Sequence, residues 1–111
     1  MIAALWHEHR LADLTERQAE SNDPYLEFLH TATLRAGLYV LPPDAEDLQR
    51  PHADDEIYYV LEGEGWFRIG GQTLHAVPGA VLYVPAGLDH RFERITNTLR
   101  LLVVFANSTD S

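Results

Sequence analysis

The sequence predicts an all-β fold, a sandwich or barrel of short antiparallel strands, and three observations carry this prediction. From Tyr25 onward the chain is a series of short runs rich in Val, Ile, Leu and aromatic residues, the composition that strands favour. Turn signals with glycine or proline separate nearly all of the runs. No helical pattern intervenes between them, so neighbouring runs are expected to pair directly with one another.

The first 24 residues differ from the rest and predict an N-terminal extension. Apolar residues interleaved with charged ones between Leu11 and Glu20 favour a short helix, and the polar run Ser21 to Pro24 ends it. The apolar segment Ile2 to Trp6 is a candidate edge strand, either in its own sheet or in that of a neighbouring subunit. We therefore predict an extension over residues 1–24 and a single β-domain over residues 25–111.

Eight strands are predicted in this domain, at nearly regular spacing. They cover Tyr25 to His30, Thr33 to Leu41, Ile57 to Leu61, Trp66 to Ile69, Thr73 to Val77, Val81 to Val84, His90 to Ile95 and Leu99 to Phe105. Gly70-Gly71 is typical of a two-residue hairpin turn, and Pro78-Gly79 and Pro85 to Gly87 mark two further reversals. Pro42 to Pro51 forms the long polar connection, of the kind that often builds a functional rim.

Composition excludes several classes of function. The chain has no cysteine, which rules out disulfides and thiolate metal sites. Seventeen acidic against eight basic residues give a formal charge of −9, and such a field disfavours nucleic acid and anionic membrane surfaces as partners. No apolar run is long enough to span a membrane. We expect a cytoplasmic protein whose partner is a small molecule.

His52, Glu56 and His90 form the candidate site. His52 and Glu56 are four residues apart, a spacing that returns side chains to the same face of an extended strand. His90 follows the turn at Pro85 to Gly87. Two imidazoles and one carboxylate are a ligand set for a divalent metal with open positions, and iron, manganese, nickel, zinc and copper all accept it.

The spacing of these residues resembles the cupin superfamily. Its first motif reads G-x5-H-x-H-x3-4-E-x6-G and its second G-x5-P-x-G-x2-H-x3-N. The run His52-x3-Glu56-x6-Gly63 matches the second half of the first motif, and Gly79-x5-Pro85-x-Gly87-x2-His90 matches the second motif up to its last residue. The resemblance covers roughly residues 34 to 106. It implies a jelly-roll barrel, or double-stranded β-helix, metal ligands at His52, Glu56 and His90, and a homodimer.

The chain departs from the motif where the family has its first histidine, because Arg50 stands there. An arginine does not release its proton to ligate a metal. Gln49 is a candidate fourth ligand through its amide oxygen, and Asp54 and Asp55 are further alternatives. Arg50 itself either binds an anionic substrate beside the site or forms a surface ion pair with Asp47 or Asp54.

Strand alternation places further residues around the site. If Glu56 points inward, Tyr58 and Val60 do too, and Phe92 lies beside His90. A cavity lined by Tyr58 and Phe92, with Tyr39 or Tyr83, suits a small substrate. We therefore predict Tyr58 and Arg50 as catalytic residues.

The family resemblance implies dioxygenase, isomerase or lyase chemistry, and it does not choose among them. The alternative is a non-enzymatic cupin that binds or senses a small ligand, with a structural metal or none.

Overall fold

The computed structural model describes residues 6–47 and 53–107. One helix and six strands follow each other along the chain. They are α1 (Leu11–Ser21), β1 (Tyr25–His30), β2 (Leu34–Leu41), β3 (Glu56–Ile69), β4 (Gln72–Ala76), β5 (Val81–Val84) and β6 (His90–Ala106).

All strand pairs are antiparallel, and the strands follow the order β1-β2-β6-β3-β4, with β5 paired to β3. Two long strands, β3 and β6, form the centre of this arrangement and pair with each other along most of their length. The fold is therefore all-β, an antiparallel jelly-roll barrel with one short helix before it, as the sequence predicted.

The prediction of eight separate strands was wrong in two places. Ile57 to Leu61 and Trp66 to Ile69 are parts of β3, and the last two predicted strands are both parts of β6. Gly63 has φ of +95° and lies among shifts in the β3–β6 register. Such irregularities bend a strand without ending it, so the glycines here mark a bend and not a turn.

The bend lets one strand serve two neighbours. The first part of β3, Glu56 to Tyr59, pairs with β5, and its last part, Gly65 to Ile69, pairs with β4. The β3–β6 ribbon has Glu56 opposite Phe105 at one end and Ile69 opposite His90 at the other. The site depends on this ribbon folding over, since its two ends carry the two candidate ligands that the structure describes.

The interior is filled by the inward-facing side chains of these strands. Burial alternates along the start of β3, where Glu56, Tyr58 and Val60 are buried while Ile57 and Tyr59 are exposed, as predicted. The buried cluster draws mainly on β3 and β6: Tyr58, Val60, Phe67, Phe92, Ile95, Leu99, Leu101, Val103 and Phe105, joined by Leu41, Ala76, Leu82 and Val84.

The predicted N-terminal helix is present. It buries Leu14, and the residue after it, Asn22, takes the left-handed conformation common at helix C-termini. No helix in residues 6–47 and 53–107 combines the length and apolarity that a membrane span requires. The predicted edge strand from Ile2 falls almost wholly on residues 1–5, which lie outside the described residues.

Candidate metal centre

Glu56 and His90 meet inside the barrel. His90 Nε2 lies 2.8 Å from Glu56 Oε1, and each side chain is only 1% exposed. Glu56 begins β3 and His90 begins β6. An acidic and a basic side chain buried this deeply require each other or a bound ion, because an isolated charge in the interior is costly.

The turn before β6 fixes the orientation of the His90 ring. The Nδ1–H group donates to the carbonyl oxygen of Leu88 at 2.8 Å, since a carbonyl can only accept. Leu88 in turn donates its amide to Pro85 O. The other ring nitrogen, Nε2, is thereby directed to Glu56. Metal-binding histidines usually have their second nitrogen held by such a carbonyl or carboxylate.

The buried pair shifts the titration of His90. Burial lowers the pKa of His90, but the hydrogen bonds to Glu56 and the Leu88 carbonyl and the charges of Glu56 and Asp47 outweigh it, so the pKa lies above its ordinary value. Without a metal, the pair is an imidazolium beside a carboxylate over a wider pH range than usual. A metal ion that binds Nε2 would compete with this proton.

Tyr58 lies beside this pair on the same face of β3. Its hydroxyl is 3.1 Å from His90 Nε2, and the residue is fully buried. The Tyr58 ring packs edge-to-face on Phe92 and Phe67, with centroids 5.1 Å and 5.7 Å away. Tyr58 is thus placed on the inner face next to Glu56 and His90, as predicted, whereas Phe92 packs mainly as part of an aromatic cluster.

The other two predicted cavity tyrosines differ from each other. Tyr83 is 57% exposed and faces outward from β5, so its prediction as a lining residue was wrong. Tyr39 is half-buried, and its hydroxyl donates to Asp47 Oδ1 at 2.9 Å.

Asp47, expected above only as a surface ion-pair partner of Arg50, is buried near the site, and sequence reasoning missed its structural role. It is 5% exposed, and its Oδ2 accepts the backbone amide of Phe92 at 2.9 Å. Asp47 therefore ties the long connection to the strand that carries His90. The sequence offers no signal for this role, because Asp47 stands among other acidic residues of a polar run without periodicity.

Asp55, weighed above as an extra ligand, has a structural contact. Its Oδ1 accepts the backbone amide of Ala86 at 2.8 Å. This bond links the segment before Glu56 to the turn before His90, and so it joins the two halves of the site.

Three predicted site residues, Gln49, Arg50 and His52, lie outside the described residues. Within residues 6–47 and 53–107 no group of three potential metal ligands comes together. The structure thus describes two of the predicted ligands, Glu56 and His90, and the assignments of His52, Gln49 and Arg50 stay predictions.

The two candidate ligands that the structure describes, Glu56 and His90, fit a divalent metal. Bonds of about 2.1 Å from imidazole and carboxylate at a right angle put the two ligand atoms about 3 Å apart, close to the 2.8 Å between Nε2 and Oε1. The donor set of one nitrogen and one oxygen suits first-row divalent ions. A carboxylate also offsets part of the charge of such an ion in a buried place.

Comparison with known proteins identifies the family. The model of the cupin domain matches residues 37–105, which include both ends of the β3–β6 ribbon. The chain belongs to the cupin family. This cupin is also 41% identical over 97 residues to an uncharacterised protein of Streptomyces coelicolor, with 87% of this chain and 92% of the relative aligned.

Two relatives with named functions are more distant. An acireductone dioxygenase of Rhodopseudomonas palustris is 40% identical over 80 residues, and the match spans 60% of this cupin and 48% of the dioxygenase. The chain thus spans about half the length of that enzyme. An oxalate-binding protein of Thermotoga maritima is 30% identical over 91 residues, which cover 82% of this cupin and 69% of the relative.

Solved structures support the same fold. The protein TT1209 from Thermus thermophilus superposes with a TM-score of 0.71 at 26% identity, covering 91% of this cupin and 97% of that chain. KdgF from Halomonas gives a TM-score of 0.69 at 21% identity, over 78% of this cupin and 79% of that chain. At this level the second likeness concerns the fold alone.

Proposed function

We propose that this cupin is a metal-dependent enzyme that acts on a small molecule inside the barrel. His52, Glu56 and His90 would hold a divalent ion. The observation that supports this most is the contact of His90 Nε2 with Glu56 Oε1 at 2.8 Å, with both side chains 1% exposed. The motif spacing adds His52, which stands four residues before Glu56.

A bound divalent ion would supply Lewis-acid or redox chemistry to substrate atoms in its open positions. The side chains of this chain supply the rest. Glu56 provides negative charge in a buried place. Leu88 O holds the His90 ring by its Nδ1–H, which leaves the Nε2 lone pair for ligation once the proton has left.

Tyr58 is the described residue best placed to act on substrate. Its hydroxyl lies 3.1 Å from His90 Nε2, so it reaches the same space as the ligand atom. When Nε2 ligates a metal, the Tyr58 hydroxyl is able to donate to a substrate oxygen instead. We propose Arg50 as the partner of an anionic substrate group and Gln49 as an additional ligand, both from their place in the sequence.

Among the reaction types, the relatives favour a dioxygenase. Five of the matching curated proteins are acireductone dioxygenases. Isomerase and lyase types remain the alternatives within the enzyme class. An acireductone is an enediol beside a carbonyl group, so two of its adjacent oxygens can chelate one metal ion.

The second candidate function is a binding protein without turnover. The likeness to the oxalate-binding protein favours it, because that alignment covers 82% of this cupin, against 60% for the Rhodopseudomonas enzyme. In this case the same buried site would hold a small dicarboxylate.

Turnover separates the two candidates. Protein loaded with iron, manganese or nickel is mixed with an acireductone, and dioxygen uptake and product formation are followed against metal-free protein. If the protein is an enzyme, we expect catalytic dioxygen uptake in wild type and none in Glu56→Gln. The control variant His75→Ala, which changes an exposed histidine outside the site, should keep the uptake of wild type. Uptake equal in Glu56→Gln and wild type contradicts the proposed site, and stoichiometric binding without uptake supports the binding protein.

We also propose a homodimer, formed through the outer face of β3 and β5. Ile57 lies opposite Tyr83 and Tyr59 opposite Val81, and these side chains are 40 to 63% exposed. Neighbouring exposed apolar side chains of this kind often mark an interface. Light scattering should give twice the chain mass for wild type and a monomer for Val81→Lys, with Leu74→Lys as the control. A monomeric wild type contradicts the dimer.

A further inference from the structure

Arg35 lies on the inner wall of the barrel, in the same row as Glu56. In the sheet register Arg35 is opposite Phe105, and Phe105 is opposite Glu56. Residues directly opposite each other in neighbouring strands point to the same face. Glu56 and Phe105 are buried, so Arg35 belongs to the inward row. Its guanidinium carbon stands 4.9 Å above the Phe105 ring centre.

Tyr25 lies on the same wall, at the start of β1. It is opposite Tyr39, which is opposite Leu101, and Leu101 is opposite Val60. Leu101 and Val60 are fully buried, so this row also points inward. Tyr25 therefore faces the interior that Glu56 and His90 occupy.

Gly37 makes room for the tip of the Tyr25 ring. A Cβ atom at Gly37 would stand 2.3 Å from Tyr25 Cζ and 2.4 Å from its hydroxyl oxygen. Contacts this short do not occur, so any other residue at position 37 would displace the tyrosine. The hydroxyl end of Tyr25 thus occupies the space that a side chain at position 37 would take on the inner face of β2.

The Tyr25 hydroxyl is buried, and among residues 6–47 and 53–107 it has no hydrogen-bond partner. A buried hydroxyl without a partner is unfavourable, and a phenylalanine would fill the same space without that cost. Burial raises the pKa of Tyr25 most, and the charges of Glu27 and Glu56 raise it further. Together they outweigh the charge of Arg35, which lowers it, and the pKa lies at about 12. The hydroxyl therefore stays protonated and is a donor.

Arg35 supplies further donors beside Tyr25. Its Nε donates to Glu27 Oε1, which fixes the guanidinium against β1. Among residues 6–47 and 53–107, the side-chain hydrogen bond of Arg35 is made by Nε. The two terminal amino groups of its guanidinium can therefore donate to a ligand. Its side chain is 35% exposed, which leaves it reachable from solvent.

We propose that the Tyr25 hydroxyl and the Arg35 guanidinium position an anionic oxygen of the substrate on the same inner wall as Glu56, two strands away from it. The substrate class is then a small carboxylate or enolate, which these donors bind at one end while its other end reaches Glu56 and His90. Tyr25 and Arg35 are positioning residues, and the inference rests on the proposed function of that site.

Oxalate is the probe, titrated by calorimetry into Mn²⁺-loaded and into metal-free protein. Tyr25→Phe and Arg35→Gln should each weaken oxalate binding about tenfold or more, the loss expected for a hydrogen bond to a charged group. Both variants should bind Mn²⁺ with the affinity of wild type. A variant that merely disturbed the structure would also lose Mn²⁺ affinity. Tyr83→Phe and Arg68→Gln, the same changes on exposed side chains, should bind oxalate as wild type does.

Tyr25→Phe removes only an unpartnered hydroxyl, so its melting temperature should equal or exceed that of wild type. The inference is overturned if Tyr25→Phe binds oxalate as tightly as wild type does. It is also overturned if wild type binds no oxalate, whether Mn²⁺-loaded or metal-free. If wild type binds no Mn²⁺, the proposed metal function fails by itself. The oxalate titration of metal-free protein then decides the positioning role.

Discussion

Glu56 and His90 stand at opposite ends of the β3–β6 ribbon, yet their side chains meet at 2.8 Å. Glu56 is paired in register with Phe105, and His90 with Ile69. The ribbon must therefore fold over itself to bring them together. The register shifts around Gly63 in β3 and the positive φ of Arg94 in β6 are places where the ribbon can bend.

The buried pair should contribute strongly to the stability of metal-free protein. His90→Ala leaves the Glu56 carboxylate, 1% exposed, without its imidazole. Breaking a buried pair in this way costs about 3 kcal/mol or more, measured by urea unfolding in the presence of a chelator. His75→Ala is the control, because its contact with Glu64 is about half exposed and should be worth under about 1 kcal/mol. Equal losses in the two variants would contradict a stabilising role for the pair.

The raised pKa of His90 predicts a pH dependence of that stability. Because the folded pKa exceeds the unfolded one, near 6.5, the pair's contribution is complete below pH 6.5. It is lost as pH rises through the folded pKa. The difference in free energy of unfolding between metal-free wild type and His90→Gln should shrink from pH 6 to pH 9. A difference that grows over this range would show that the imidazole is neutral in the folded protein.

Gly63 should resist substitution more than other glycines with positive φ. A Cβ at Gly63 would stand 2.1 Å from the Thr98 carbonyl oxygen, and φ is +95°. Gly79 has φ of +92° but no heavy atom within 4 Å of such a Cβ. Gly79→Ala should cost about 1 kcal/mol for its backbone conformation. Gly63→Ala should cost about 3 kcal/mol or more, or prevent folding. Equal melting temperatures for the two variants would show that the bend tolerates a side chain.

Asp47 should hold the connection before the site against β6. Its carboxylate accepts hydrogen bonds from the half-buried Tyr39 hydroxyl and the buried Phe92 amide, and Asp47→Ala leaves both donors without that acceptor. We expect a loss of about 2 kcal/mol, measured by urea unfolding. Exposed Glu46, one residue earlier, is the matched control, and Glu46→Ala should change stability by less than about 0.5 kcal/mol. A similar loss in both would indicate that Asp47 acts only through charge.

The sequence predicted the fold class, the short helix and the inward alternation of Glu56, Tyr58 and Val60, because these depend on local patterns of apolar residues and turns. It also placed the barrel in the correct family through the spacing of His52, Glu56 and His90. The short helix was confirmed, although it extends through Ser21, and so was the strand from Tyr25 to His30.

Long-range geometry was beyond the sequence. Gly63 and Gly65 look like a turn in the sequence, and only the pairing of β3 with two different strands shows that they bend it. Asp47 gave no signal because its buried position depends on Phe92, which lies 45 residues away in the chain. The same holds for Tyr25, whose position depends on the missing side chain of Gly37 on the next strand.

Metal stoichiometry tests most directly whether His52, Glu56 and His90 hold one divalent metal ion. Protein purified without chelators is analysed for bound metal by mass spectrometry, alongside His52→Ala, Glu56→Gln, His90→Gln and the control His75→Ala. We predict close to one ion per chain in wild type and His75→Ala, and a loss of most of it in the other three variants. Wild type without metal after reloading, or full occupancy in His90→Gln, would contradict the proposed metal centre.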